Sequence, residues 1–179
     1  MNRRTAVRNF IVFSAGTALL PSCLNQDKGA SIPLKNIHVS GEQEKLMAAL
    51  TGTILPTTST PGAKELSSHL FALMMVDDCF KKEEREKFVK GLQQFDEIAK
   101  KKTGQTFLNA SATQREEIVK QVENKKDIPG DVLAFYNATK RLTIQSFTSS
   151  KYFLTKVKVY EMAPGRFHGC FPVTKSIKV

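Results

Sequence analysis

From Ser40 onward apolar residues recur at three- and four-residue spacing, in blocks separated by proline, glycine and lysine-rich stretches. That is the period of an amphipathic helix. Leu46, Ala49, Leu50 and Ile54 form the first stripe; Ser40 with Gln43 makes a capping box before it and Pro56 stops it. Thr60 followed by Pro61 reads as an N-cap with proline at the first helical position, and Ala63, Leu66, Leu70, Leu73 and Met74 predict one buried face. A third helix is expected from about Lys82 to Lys101 on Phe88, Leu92, Phe95 and Ala99, with Glu83, Glu84 and Glu86 at its positive dipole end and Gly104 as its stop. Ser111 caps a fourth, with Ile118, Val119 and Val122 inward, broken over the stretch Lys125 to Gly130. A fifth begins near Asp131 and carries Val132, Phe135, Tyr136, Thr139 and Leu142, joined by Ile144 or Phe147. Beyond Ser150 the pattern weakens: Val157 and Val159 alternate as in a strand, and a short helix continuing from Ser149 fits equally well. The pattern predicts an all-α fold, a single compact bundle of about five to six helices with an irregular C-terminal tail.

The first residues, MNRRTAVRNFIVFSAGTALLPSC, obey a different logic. Arg3, Arg4 and Arg8 precede a charge-free run from Phe10 to Leu20. As a helix that run is about 16 Å long, against ~30 Å of hydrocarbon, so it reads as the apolar region of a bacterial export signal and not as a membrane span. Arg3 and Arg4 with the residues that follow resemble a twin-arginine signal, the route that carries folded cargo; Ala6 is smaller than that pattern prefers, and the general secretory route is the alternative. Leu20, Pro21, Ser22 and Cys23 resemble a lipoprotein box, with Pro21 departing from it, and the box predicts Cys23 as the lipid acceptor and first mature residue. More than one acyl chain gives stable anchoring at ~0.8 kcal/mol per buried methylene. The alternative is a plain signal cleaved nearby, with Cys23 an ordinary thiol. Residues 23–39 are polar and read as a tether, reaching at most ~55 to 60 Å. The expected division is therefore a leader over 1–22, a lipidated tether over 23–39 and a helical domain over 40–179, with an exported, membrane-anchored location facing the periplasm or the cell surface.

Charge adds little. The chain has 27 basic and 17 acidic residues, a net +10, and removing Arg3, Arg4 and Arg8 with the leader takes it to +7. Lys81, Lys82, Lys100 to Lys102, Lys125 and Lys126 sit at helix ends without interleaved aromatics. They read as solvated faces first and as a patch for membrane or protein second, and an exported protein meets little nucleic acid. Cysteine arithmetic is more informative. With Cys23 lipidated, Cys79 and Cys170 remain, and an oxidising compartment favours a disulfide that fastens the tail. Closing a loop of roughly 90 residues contributes about 4 to 5 kcal/mol in the chain-entropy account. Two separate buried thiols are the other reading.

Reactive constellations are missing from the sequence. His38, His69 and His168 are far apart, and there is no Cys-x-x-Cys-His, His-Glu-x-x-His or G-x-G-x-x-G motif. His69 lies beside an apolar stripe, and Asp77 with Asp78 offers a carboxylate pair, although adjacent acids near a helix end more often bond local backbone or sit in water. No catalytic residue, cofactor-binding residue or metal ligand is predicted. His168, with Arg166 and Phe167, is a candidate partner-facing tail.

Three stretches, LTGTILPTTSTPGAKE (50–65), VDDCFKKEEREKFVKGLQQFD (76–96) and APGRFHGCFPVT (163–174), together resemble the small subunit, or subunit 3, family of gluconate 2-dehydrogenase. KYFLTKVKVYEM (151–162) departs from the family pattern there. The resemblance implies a non-catalytic subunit of an oxidoreductase complex, escorting and tethering a large GMC-type flavoprotein that holds FAD and oxidises a sugar acid or sugar alcohol. It also implies a cytochrome c subunit carrying haem c. A free-standing lipoprotein that binds a ligand or scaffolds envelope proteins is the alternative.

Overall fold

The computed structural model describes residues 29–125 and 127–158. Five α-helices follow in order: α1 Gly41–Ile54, α2 Ser68–Cys79, α3 Lys82–Thr103, α4 Ala112–Glu123 and α5 Gly130–Thr148, then a π-helical turn Phe153–Val157. The described residues form an all-α bundle, and none of their helices is long and apolar enough to cross a membrane.

Local chemistry sets most of the boundaries. Ser40 and Gln43 exchange both capping-box hydrogen bonds at the start of α1, and Ser111 and Gln114 do the same at α4. At α3 the Glu84 carboxylate accepts from the Lys81 N–H at 3.1 Å. Gly104, with φ 75°, ends α3 in the left-handed conformation, its N–H returning to the Lys100 carbonyl.

The core is aromatic and centres on α3 and α5. Phe88 and Phe95 of α3 meet Phe135 of α5 at ring-centroid distances of 5.0 and 5.7 Å, and Phe107, from the loop before α4, closes on Phe95 at 5.1 Å. Asp96 holds that loop by accepting from the Phe107 N–H at 2.9 Å. Gly91 permits the close approach of the two helices: a Cβ there would lie 2.3 Å from the Asp131 carbonyl oxygen and 2.5 Å from the Phe135 Cβ. Helix α5 packs against all four other helices, and a buried hydroxyl pair, Ser68 Oγ to Ser146 Oγ at 2.9 Å, ties it to α2.

Three expectations are corrected. The second helix begins at Ser68, not at Thr60–Pro61. Ala63 N–H bonds the Leu55 carbonyl and Ser68 N–H the Ala63 carbonyl, so residues 55–67 close a loop, and Ser67 enters the helix at φ 50°. Met74, expected inside, is 50% exposed, and Ile144 likewise faces outward on α5. Residues 29–39, expected to belong to a polar tether, pack with the domain: Ile37 and Val39 are buried in the core and Gly29 pairs with Ser40 as an isolated antiparallel bridge. Their apolar side chains gain more from burial than from a solvated linker. Val157, offered as strand or helix, lies in the π-helical turn, and Phe147 packs there against Phe153 at 5.5 Å.

Replacing Gly91 by Ala is expected to destabilise the fold by about 1 to 3 kcal/mol, since backbone must move to admit the methyl. Gly52→Ala, whose Cβ meets nothing within 4 Å, should instead gain up to ~1 kcal/mol from helix propensity. Urea denaturation of the chain distinguishes these outcomes.

Candidate functional site

The most constrained side chain in the described molecule is Asp77, in the last turn of α2. It is 3% exposed and lies beside a segment distant in sequence. One carboxylate oxygen accepts from the Lys35 N–H at 2.8 Å; the other accepts from the Asn36 and Ile37 N–H groups at 2.7 and 2.8 Å. The Asp77 carbonyl accepts in turn from Asn36 Nδ2 and Arg85 Nη1. Burial pushes the Asp77 carboxyl upward, but the three backbone donors and the nearby Arg85 guanidinium outweigh it and hold it below its ordinary value of 3.8. Asp77 is therefore a clasp that fixes residues 35–37 to the bundle, and Asp78 beside it is exposed. The adjacent acids do not work as a carboxylate pair.

Two other titratable groups are perturbed by local packing. Tyr136 donates to Glu123 Oε1 at 2.7 Å, and burial followed by that acceptor pushes the phenol well above its usual range. Lys140 also donates to Glu123 and, with the Tyr136 hydroxyl, lowers the carboxyl. His69 is pushed down by burial, partly offset by Glu44, and its Nδ1 is buried without a hydrogen-bond partner among the described residues. These groups are separate: no three His, Cys, Asp or Glu side chains among the described residues form a metal-capable cluster.

Among the described residues two surface clefts stand out. The larger, about 580 Å³, runs along α1 to the start of α4 over a floor that includes Ala49, Gly52 and Pro56, with Lys64 and Arg115 among its lining residues. Arg115 donates from Nε and Nη2 to the Phe107 and Leu108 carbonyls, at 3.0 and 2.6 Å, with its guanidinium over the Phe107 ring. This cleft is lined in part by Gly52, Thr53, Leu55, Pro56, Thr57 and Lys64 of the first resemblance motif. The smaller, about 430 Å³, lies between residues 36–38 and α3, where Arg85, Glu86 and Lys90 contribute charge. Lys90 is already paired with Asp131 at 2.7 Å. Such clefts offer shape and charge for binding another surface.

Of the residues singled out from sequence, Cys79 lies exposed at the end of α2. Arg3, Arg4, Cys23, Arg166, Phe167, His168 and Cys170 lie outside the described residues. The Asp77 clasp was missed because its donors are backbone N–H groups some forty residues earlier, a pairing that carries no sequence motif. The one hint was Ile37 and Val39, two apolar residues in a stretch otherwise read as a linker.

The described residues thus offer one all-α bundle with lateral clefts on its surface. The family model described as Gluconate 2-dehydrogenase subunit 3 matches residues 41–165. That span is most of the chain, and the chain belongs to this family, the small subunit of a dehydrogenase complex. No curated protein and no solved structure matches it.

Because the Asp77 carboxyl is lowered on folding, its stabilising contribution is present above pH 3.8 and is lost as pH falls through the lower folded value. Asp77→Ala should cost about 3 kcal/mol at pH 7, leaving one buried and two part-buried donors without their acceptor. Asp77→Asn should flatten the acid limb of a stability curve measured by denaturant titration between pH 7 and pH 2.5. An acid limb identical to wild type would refute the clasp's electrostatic role.

Proposed function

We propose that this chain is the non-catalytic small subunit of a membrane-associated, flavin-dependent complex of the gluconate 2-dehydrogenase kind, serving as export escort and membrane tether for the flavoprotein. The observation that carries this reading is the family match over residues 41–165, directly behind a leader with paired arginines and a lipoprotein-like box. The two parts fit one task. A flavoprotein loads FAD as it folds, so it requires a route for folded cargo, and a small subunit bound to it can supply the signal for both.

In this reading the chemistry belongs to the partners. A GMC-type large subunit holds FAD and oxidises a sugar acid or sugar alcohol, and a cytochrome subunit with haem c takes the electrons onward. This chain contributes surface: its clefts and exposed helices bind the flavoprotein, with Arg166, Phe167 and His168 in the partner-facing tail. Lipid on Cys23 retains the assembly at the membrane on the periplasmic side, and a Cys79–Cys170 disulfide fastens the tail. Exposure of Cys79 leaves its sulfur accessible for that bond.

Arg3→Lys combined with Arg4→Lys should strand this chain and its flavoprotein together in the cytoplasm, as read by fractionation and by flavin absorbance of each fraction. Normal export of the flavoprotein without this chain would favour a free-standing lipoprotein instead. Cys23→Ala should release the mature chain from the membrane fraction.

Non-reducing peptide mapping of the protein isolated from its own compartment should recover Cys79 and Cys170 in one linked pair. Two free thiols would exclude the fastened tail.

A further inference from the structure

If Cys23 carries the lipid, the distance between lipid and domain is set by where the chain first becomes fixed to the bundle. Four separate contacts show that this happens well before α1. Gly29 bridges to Ser40, and the Ala30 N–H bonds the Val39 carbonyl at 2.9 Å. Ser31 donates to the Glu44 carboxylate through its N–H and, at 2.7 Å, through its hydroxyl. Asp77 clasps residues 35–37. Ile37 and Val39 are buried in the core. Residues 29–39 are thus a strap of the domain and add nothing to the reach of a tether.

From Cys23 to Gly29 the chain spans at most about 20 Å, whatever its conformation, at ~3.3 to 3.6 Å per residue. We infer that the end of the bundle formed by Gly29–Ser31 and the first turn of α1 is its membrane-proximal face, held within roughly 20 Å of the lipid. This inference rests on the lipid anchor proposed above and adds an orientation to it. The face carries Glu42 and Glu44 beside Lys45, with Lys45 paired to Glu42 at 2.8 Å. Its charge is mixed, so the short covalent connection imposes the approach and attraction to anionic headgroups does not. The spacing is therefore insensitive to salt, unlike that of a basic surface patch.

The test uses the processed, membrane-extracted protein with an azide-bearing amino acid in place of Glu42, coupled to a donor dye. The protein is returned to phosphatidylcholine vesicles containing a rhodamine-lipid acceptor. A second form carries twenty prolines inserted between Asp27 and Lys28, a semi-rigid spacer of about 60 Å. Energy transfer from position 42 should fall at least threefold in the spaced form, and transfer in the unspaced form should be the same in 0.1 M and 1 M NaCl. Equal transfer from the two forms, with Cys23 shown by mass spectrometry to be lipidated, would overturn the orientation and leave the anchor standing. Transfer lost in high salt would overturn the covalent origin of the approach. A mature chain whose Cys23 lacks lipid would overturn the anchor and the orientation together.

Discussion

The bundle depends on the approach of α3 to α5 at Gly91, where one glycine lets two backbones come within side-chain distance. Phe88 and Phe95 lie one turn to either side of it and can reach Phe135 because no Cβ holds the helices apart. The Lys90–Asp131 pair spans the same junction, though an ion pair whose lysine is exposed contributes only ~0 to 1 kcal/mol beside the aromatic burial. With α3 and α5 so joined, α5 presents its remaining buried positions to α1, α2 and α4, and the clefts follow from how those helices splay around it.

Much of this was legible in the sequence because it is encoded locally. Ser40 with Gln43, Gly104 and Ser111 act within one turn of their own helices, and the stripes from Phe88 to Ala99 and from Val132 to Leu142 lie buried as their period requires. The sequence misled where a local signal lost to a distant one. Thr60–Pro61 has the chemistry of a helix start, but Gly62 is pressed against Thr57 and the backbone of residues 55–63 bonds across the loop, which delays the helix to Ser68. Helix α2 is apolar on nearly every side, so periodicity could not tell Leu73, which is buried, from Met74, which is not. Asp77 looked like a local cap because nothing in its neighbourhood names the strap it holds.

The functional reading divides in the same way. Family membership rests on the helical domain, whereas the proposed escort and anchor rest on sequence motifs ahead of it alone. The strap joins the two. Residues 29–39, which read as part of a polar connector, belong to the folded domain, so the proposed signal and the bundle stand closer in sequence than composition implies.

The clasp has a consequence for how substitutions spread through the protein. Asp77 reads backbone N–H groups, not side chains, at positions 35 to 37. Lys35, exposed to solvent, can therefore be exchanged for most residues without loss of the contact, and proline, which lacks the N–H, is the exception at all three positions. Position 77 has no such latitude, because no other side chain offers two short-reach carboxylate oxygens to three converging donors. A deep mutational scan would record a tolerant Lys35 facing an intolerant acid, an asymmetry in which the sequence information for a three-bond contact is stored largely at one residue.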